Sequence, residues 1–77
     1  MITVTVKMRD ELTGNIVYRI IDGSILTVSD NSAPLGWESH KIGTDAQIKL
    51  NIKNWIEERA NRQHNAKLAL LTYTINS

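Results

Sequence analysis

The chain has 77 residues, of which 42% are hydrophobic and 22% charged, with no cysteine and a formal net charge of +1 at pH 7. This composition is typical of one small globular domain and argues against a disordered chain. The lack of cysteine excludes disulfides, thiolate catalysis and cysteine-bound zinc. No apolar run reaches membrane-spanning length and the N-terminus lacks an apolar h-region, so we expect a cytoplasmic chain with no membrane partner.

The first half of the chain has the period-two alternation that predicts β-strands. Residues 2–8 carry apolar and polar side chains in strict alternation, and β-branched residues favour this conformation. Residues 16–21 and 25–29 form two more such runs around an Asp-Gly pair, which favours a hairpin. A three-residue loop with Gly23 in the left-handed conformation places the even-numbered apolar residues on one face. These residues are Ile16, Tyr18, Ile20, Leu26 and Val28.

The stretch from residue 30 to residue 45 is irregular and holds the only proline and one of the two tryptophans. Residues 37–42 could add a short strand. Two interpretations of Trp37 stay open. As a loop tryptophan it either contacts a partner, as tryptophan often does at interfaces, or it folds back and covers one end of the core.

The second half changes to helical periodicity. Thr44 followed by Gln47 is a capping-box pattern, and it predicts a helix over residues 45–64 that ends near Asn65. The helix has one apolar stripe at i, i+4, i+7 and i+8, formed by Ile48, Ile52, Trp55 and Ile56. Residues 68–75 then predict a closing strand, although the first half of this segment also suits a helix.

The sequence therefore predicts an α+β fold in a single domain, residues 1–77. We expect a small antiparallel sheet of three to five strands with one long helix packed on one face. The element order is β-β-β-(β)-α-β, where the strand in parentheses is the short segment at residues 37–42.

The sequence carries no catalytic or metal-binding pattern, so we expect neither an enzyme nor a cofactor. His40 and His64 are 24 residues apart, and no further ligands accompany them to complete a zinc site. Ser39 and His40 are neighbours on a predicted strand and would point to opposite faces. Glu57 and Glu58 project about 100° apart on a helix, which does not suit an acid–base pair.

Nucleic-acid binding by the helix is the main alternative to protein binding. The last 34 residues hold Lys49, Lys53, Arg59, Arg62 and Lys67 against three acidic residues. Such side chains contact phosphates and base edges. Glu57 and Glu58 interrupt this surface, however, whereas a face that follows phosphates usually concentrates positive charge.

The leading hypothesis is a non-enzymatic protein-binding module that contacts another protein or a nucleoprotein complex. By analogy of size and class alone, it could be a phage or mobile-element inhibitor of a host defence complex, as anti-CRISPR proteins are. A structural or assembly subunit, including a homodimer paired through sheet edges, is a third alternative. The candidate partner-binding residues are Trp37, His40, Lys41, Lys49, Lys53, Arg59 and Arg62.

Overall fold

The computed structural model describes residues 2–30, 32 and 40–77. The strands are β1 (Thr3–Asp10), β2 (Ile16–Asp22), β3 (Thr27–Ser29), β4 (His40–Ile42) and β5 (Leu68–Asn76). Between β4 and β5 lies one long helix, made of α1 (Asp45–Trp55), a π-helical turn (Ile56–Ala60) and α2 (Asn61–His64). The predicted α+β class and element order are confirmed.

The main sheet is antiparallel, with strand order β2-β1-β5. Alternation along β1 directs Val4, Val6 and Met8 to one side, where all three are completely buried. The long helix packs on this side, so the core lies between the helix and the sheet. We call the other side of the main sheet the open face.

The long helix begins where the capping box predicts. The Thr44 side chain accepts from the Gln47 backbone N–H, and the Gln47 side chain accepts from the Thr44 backbone N–H. The apolar stripe is confirmed for Ile48, Ile52 and Ile56, which are buried, while Trp55 is half-buried at the margin of the core.

The end of the helix is fixed by two asparagines. Asn65 takes the left-handed conformation, with φ 47°, which a C-terminal cap requires. The Asn61 side-chain oxygen accepts from the Leu68 backbone N–H at 2.7 Å. This bond ties the last helical turn to the start of β5, and residues 68–76 are strand from there on.

The predicted hairpin between β2 and β3 is wrong. β3 pairs with β4 in a separate two-stranded sheet, and residues 23–26 form a 3₁₀ turn in place of a three-residue loop. Gly23 is not left-handed, because Gly14 is the only described glycine with positive φ. Its backbone instead approaches Ile2, and a Cβ built on Gly23 would lie 2.6 Å from the Ile2 carbonyl oxygen.

The predicted apolar face is also divided. In the β1–β2 register Lys7 lies opposite Tyr18 and Thr5 opposite Ile20, and directly opposed residues share a face. Because β1 buries its even-numbered residues, β2 presents its odd-numbered residues to the core. Of the five residues expected on one face, Leu26 is buried and Val28 half-buried, whereas Ile16, Tyr18 and Ile20 are exposed on the open face.

The two edges of the main sheet differ in regularity. The register of β1 with β5 shifts between Lys7 and Met8, so that Leu71 in β5 has no partner in β1. The register of β1 with β2 is uninterrupted. A bulge twists an edge strand and hinders further pairing, so the β5 edge is protected in a way that the β2 edge is not.

Candidate protein-docking surface

The described residues among the predicted partner-binding residues lie on two elements, β4 and the long helix. Trp37 lies outside the described residues. His40 and Lys41 are exposed on β4, and the remaining four are exposed along the long helix. These four are Lys49, Lys53, Arg59 and Arg62.

Two of the basic residues of the helix lie on different sides of the molecule. Lys53 lines a cleft of about 240 Å³ beside β5, whereas Arg59 lines a cleft of about 600 Å³ beside β2. β2 and β5 lie at opposite edges of the main sheet, so these two cations face different sides of the molecule. Lys49 is paired with Asp45 at 3.0 Å.

The cleft beside β2 separates that strand and the 3₁₀ turn from the helix. Asn51 links its two walls, because its side-chain N–H₂ group donates to the backbone oxygens of Ile25 at 3.0 Å and Thr27 at 3.2 Å. The walls carry both signs of charge and the half-buried indole of Trp55. The lining residues are Ile21, Asp22, Ser24, Ile25, Thr27, Asn51, Asn54, Trp55, Glu58 and Arg59.

An apolar row lies on the open face, along β2. We call Ile16, Tyr18 and Ile20 the β2 row; their side chains are 43%, 61% and 71% exposed. On the neighbouring strand, the Lys7 ammonium lies 6.0 Å from the centre of the Tyr18 ring, within the range of a cation–π contact. The row is therefore apolar at its centre and has a positive charge beside it.

Beside the β2 row, the middle of the open face is polar where β1 meets the end of β5. Thr3 and Thr5 of β1 face Asn76 and Thr74 of β5, and the Asn76 side chain donates to Thr5 Oγ1 at 2.8 Å. These polar side chains thus border the β2 row on the side of β1 and the end of β5.

Within the part of the chain that the structure describes, no strand pairs with the outer edge of β2; we call it the free edge, and the backbone groups that point to it belong to the same residues. The Asp10 N–H donates to the Asn15 oxygen at 2.8 Å, and the Gly23 N–H donates to the Ile2 oxygen at 3.1 Å. Hydrogen-bonded pairs alternate along an antiparallel ladder, so odd-numbered residues of β2 direct their backbone groups to β1. The even-numbered residues direct theirs to the free edge; these are Ile16, Tyr18, Ile20 and Asp22.

The sequence identified the β2 row as apolar. It predicted, however, that the row shares one apolar face with residues of β3. β2 has apolar residues on both faces, because Val17 and Ile21 alternate with the row. The signal that separates them lies in β1, where Thr3, Thr5 and Lys7 mark the polar face. To assign the faces of β2 from these polar residues, one must know the β1–β2 register, which depends on the turn around Gly14.

A side-chain hydrogen bond joins Asp45, at the start of the helix, to Tyr73 in β5. The Tyr73 hydroxyl donates to Asp45 Oδ1 at 2.6 Å, and this bond lowers the pKa of Asp45, with a smaller contribution from Lys49. The same bond raises the pKa of Tyr73. Because the pKa of Asp45 is lower in the folded state, its stabilising effect is present above the unfolded pKa and is lost as pH falls through the folded pKa.

We expect Tyr73→Phe to raise the pKa of Asp45 toward its ordinary value, since the largest cause of the shift is removed. Lys49→Met should raise it less. The measurement is an NMR titration of the Asp45 side-chain carboxyl carbon in each variant. An unchanged Asp45 pKa in Tyr73→Phe would show that this hydrogen bond is absent in solution.

In the described part of the chain, no three His, Asp or Glu side chains converge as metal ligands would. No helix among those residues has both the length and the apolar content that crossing a membrane requires. No family model matches the chain, and neither a curated protein nor a solved structure matches it.

Proposed function

We propose that this chain is a non-enzymatic protein-binding module and that the β2 row is its contact surface. The observation that carries the proposal is the exposure of three large apolar side chains side by side on one strand, at 43%, 61% and 71%. Contiguous apolar surface of this kind marks interaction sites. Burying one such side chain stabilises a complex by about 1.5–3 kcal/mol before the costs of association.

The surroundings of the row indicate the chemistry of the partner. Lys7 and Arg9 lie on β1 beside Tyr18 and Ile16, and β5 contributes uncharged polar residues to the open face. A matching protein surface has an apolar centre and carboxylates at its rim. Tyr18 is the expected hot spot. Tyrosine is enriched among interface residues whose truncation lowers the binding free energy by about 2 kcal/mol or more.

Nucleic-acid binding has less support from this geometry. Lys53 and Arg59 line clefts at opposite edges of the main sheet, so the positive charge of the helix is divided between two sides. The narrower hypothesis of a phage-encoded, anti-CRISPR-like inhibitor rests on chain length and fold class alone, and it remains a prediction.

The test is affinity capture from the native host cell after nuclease treatment, with Tyr18→Thr/Ile20→Thr as the variant. Threonine preserves the strand propensity and removes the apolar surface. We expect the unmodified chain to retain a protein that the variant loses. Leu50→Thr is the matched control, because Leu50 is also an exposed apolar residue, at 58%, but lies on the helix.

Two outcomes would contradict the proposal. Equal capture by the unmodified chain and by the double variant would exclude the β2 row as the contact surface. Binding that disappears on nuclease treatment, and that Arg59→Ala/Arg62→Ala weakens for unrelated sequences alike, would favour the nucleic-acid alternative. In that case the slope of log affinity against log salt should flatten by up to about two units.

A further inference from the structure

We propose that two copies of the chain pair through the free edge of β2, antiparallel and with the twofold axis at Tyr18, to form one continuous six-stranded sheet. The proposed function uses the side chains of β2 on the open face. This inference goes beyond it, because it concerns the backbone edge of the strand and names the second copy as the occupant.

The backbone of β2 is arranged for this pairing. Ile16, Tyr18 and Ile20 all direct N–H and C=O groups to the free edge, as the bonds at the two ends of the β1–β2 ladder establish. An axis at Tyr18 sets Ile16 opposite Ile20 of the second copy and Tyr18 opposite Tyr18. The outward groups of Ile16, Tyr18 and Ile20 then meet outward groups of the second copy, which gives about six hydrogen bonds in an antiparallel ladder.

The side chains of the row are their own complement about the same axis. Isoleucine, tyrosine and isoleucine at alternate positions are unchanged when the strand direction is reversed, so the open face gains two isoleucine pairs and a tyrosine pair. Cross-strand pairs of aromatic and β-branched residues stabilise sheets. A twofold interface requires this self-complementarity.

The alternative register, with the axis at Arg19, is less favourable. It would oppose the two Arg19 residues and set Ile16 against Asp22 of the second copy, and like charges directly opposed destabilise a sheet. With the axis at Tyr18, Arg19 lies opposite Val17 of the second copy. Arg19 is then on the face that carries the 600 Å³ cleft, whose walls include Asp22 and Glu58.

Residues 16–22 themselves also carry few of the features that keep edge strands apart. Residues 16–22 contain neither proline nor glycine, and the register with β1 has no bulge. β5, at the other edge, has its irregularity at Leu71. Long, regular and apolar edges are those that pair with other chains, so β2 is the edge at which a second copy fits.

The pairing keeps the proposed contact surface and enlarges it. Both β2 rows lie on the same side of the six-stranded sheet, next to each other across the axis. The open face of the dimer therefore presents six large apolar side chains where the single chain presents three.

The first test is sedimentation equilibrium on the full chain. We expect a mass of twice the 8.7 kDa chain.

Disulfide cross-linking tests the register. Because the chain has no cysteine, Tyr18→Cys introduces a single thiol. The Cα atom of this residue would lie about 5.5 Å from that of its symmetry mate, a separation that a disulfide spans. Mild oxidation should cross-link Tyr18→Cys rapidly, whereas Leu50→Cys on the helix should stay uncross-linked. Faster cross-linking of Arg19→Cys than of Tyr18→Cys would overturn the register.

The second test uses proline at neighbouring positions. The Tyr18 N–H points to the free edge, so Tyr18→Pro should preserve the sheet and weaken dimerisation at least about tenfold. Arg19→Pro removes an N–H that β1 uses and should unfold the chain. Circular dichroism distinguishes folding from association. A folded Tyr18→Pro variant that dimerises as well as the unmodified chain overturns the proposal.

The proposed contact surface and the proposed dimer can each be contradicted without the other. If the unmodified chain is monomeric and Tyr18→Cys does not cross-link, the second copy is excluded, even where partner capture still depends on the β2 row. If the chain dimerises as described but capture is indifferent to Tyr18→Thr/Ile20→Thr, the proposed contact surface is excluded and the dimer stands.

Discussion

Replacing Ile52 by alanine is expected to lower the free energy of unfolding by about 2–5 kcal/mol. Ile52 is completely buried and lies in the centre of the helical stripe, in the same core cluster as Val4, Val6 and Met8 of β1. Truncation removes apolar burial and also leaves a cavity, because the surrounding side chains relax only in part. Denaturation in urea, followed by circular dichroism, measures the loss.

The matched control for this change is Leu50→Ala. Leu50 is on the same helix, two residues away, and is 58% exposed. Its truncation should change the free energy of unfolding by roughly 0.5 kcal/mol or less, as is usual for surface positions. Similar losses at both positions would show that the helix is covered on its outer side as well, which would contradict the packing described here.

Gly23→Ala is expected to destabilise the fold by about 1–3 kcal/mol, through overpacking. The new Cβ would lie 2.6 Å from the Ile2 carbonyl oxygen. That oxygen also accepts the Gly23 N–H, at 3.1 Å, so neither backbone can move away without losing the bond. Thermal unfolding and urea titration of the variant provide the measurement.

Substituting asparagine for Gly14 and for Gly23 distinguishes two reasons for a glycine. Gly14 has a left-handed conformation, whereas Gly23 closely approaches another backbone segment. Gly14 has φ +78° and no atom within 4 Å of a built Cβ, and asparagine tolerates this conformation. Gly14→Asn should therefore be nearly neutral, whereas Gly23→Asn should lose at least as much stability as Gly23→Ala. Equal, small effects at both sites would show that Gly23 has room for a side chain.

The elements that the sequence predicted correctly are those with local signals. The capping box at Thr44 and Gln47 specifies the start of the helix, and Asn65 specifies its end, because both are contacts within a few residues. The strands of the main sheet follow from alternation of the same local kind. These signals required no knowledge of which elements pair.

The pairing of β3 with β4 could not be derived from local signals. An Asp-Gly pair favours a hairpin, but Asp22 instead caps a 3₁₀ turn by accepting from the Ser24 N–H at 2.7 Å. The competing interaction is distant in sequence, since Asn51 of the helix holds the carbonyl groups of Ile25 and Thr27. Tertiary contacts therefore decide the path of the chain after β2.

The candidate site shows the same limit. Charged residues on a helix are easily identified, and His40, Lys41 and the four cations of the helix are indeed exposed. Their arrangement around the helix is not evident from charge alone. The β2 row was identified as apolar, but its exposure depends on where the single long helix packs, and the helix covers the opposite face of the sheet.

The pairing of β1 with β5 has a consequence for the order of folding during synthesis. β1 is the central strand, and Val6 pairs with Tyr73 in β5, so most of the chain must emerge before this ladder can form. Distant pairings of this kind slow folding, because closing the intervening loop costs entropy before any contact compensates for it. The β1–β2 hairpin is local and can form early on the ribosome. Until the helix and β5 follow, its buried face remains accessible to chaperones, and to other nascent chains.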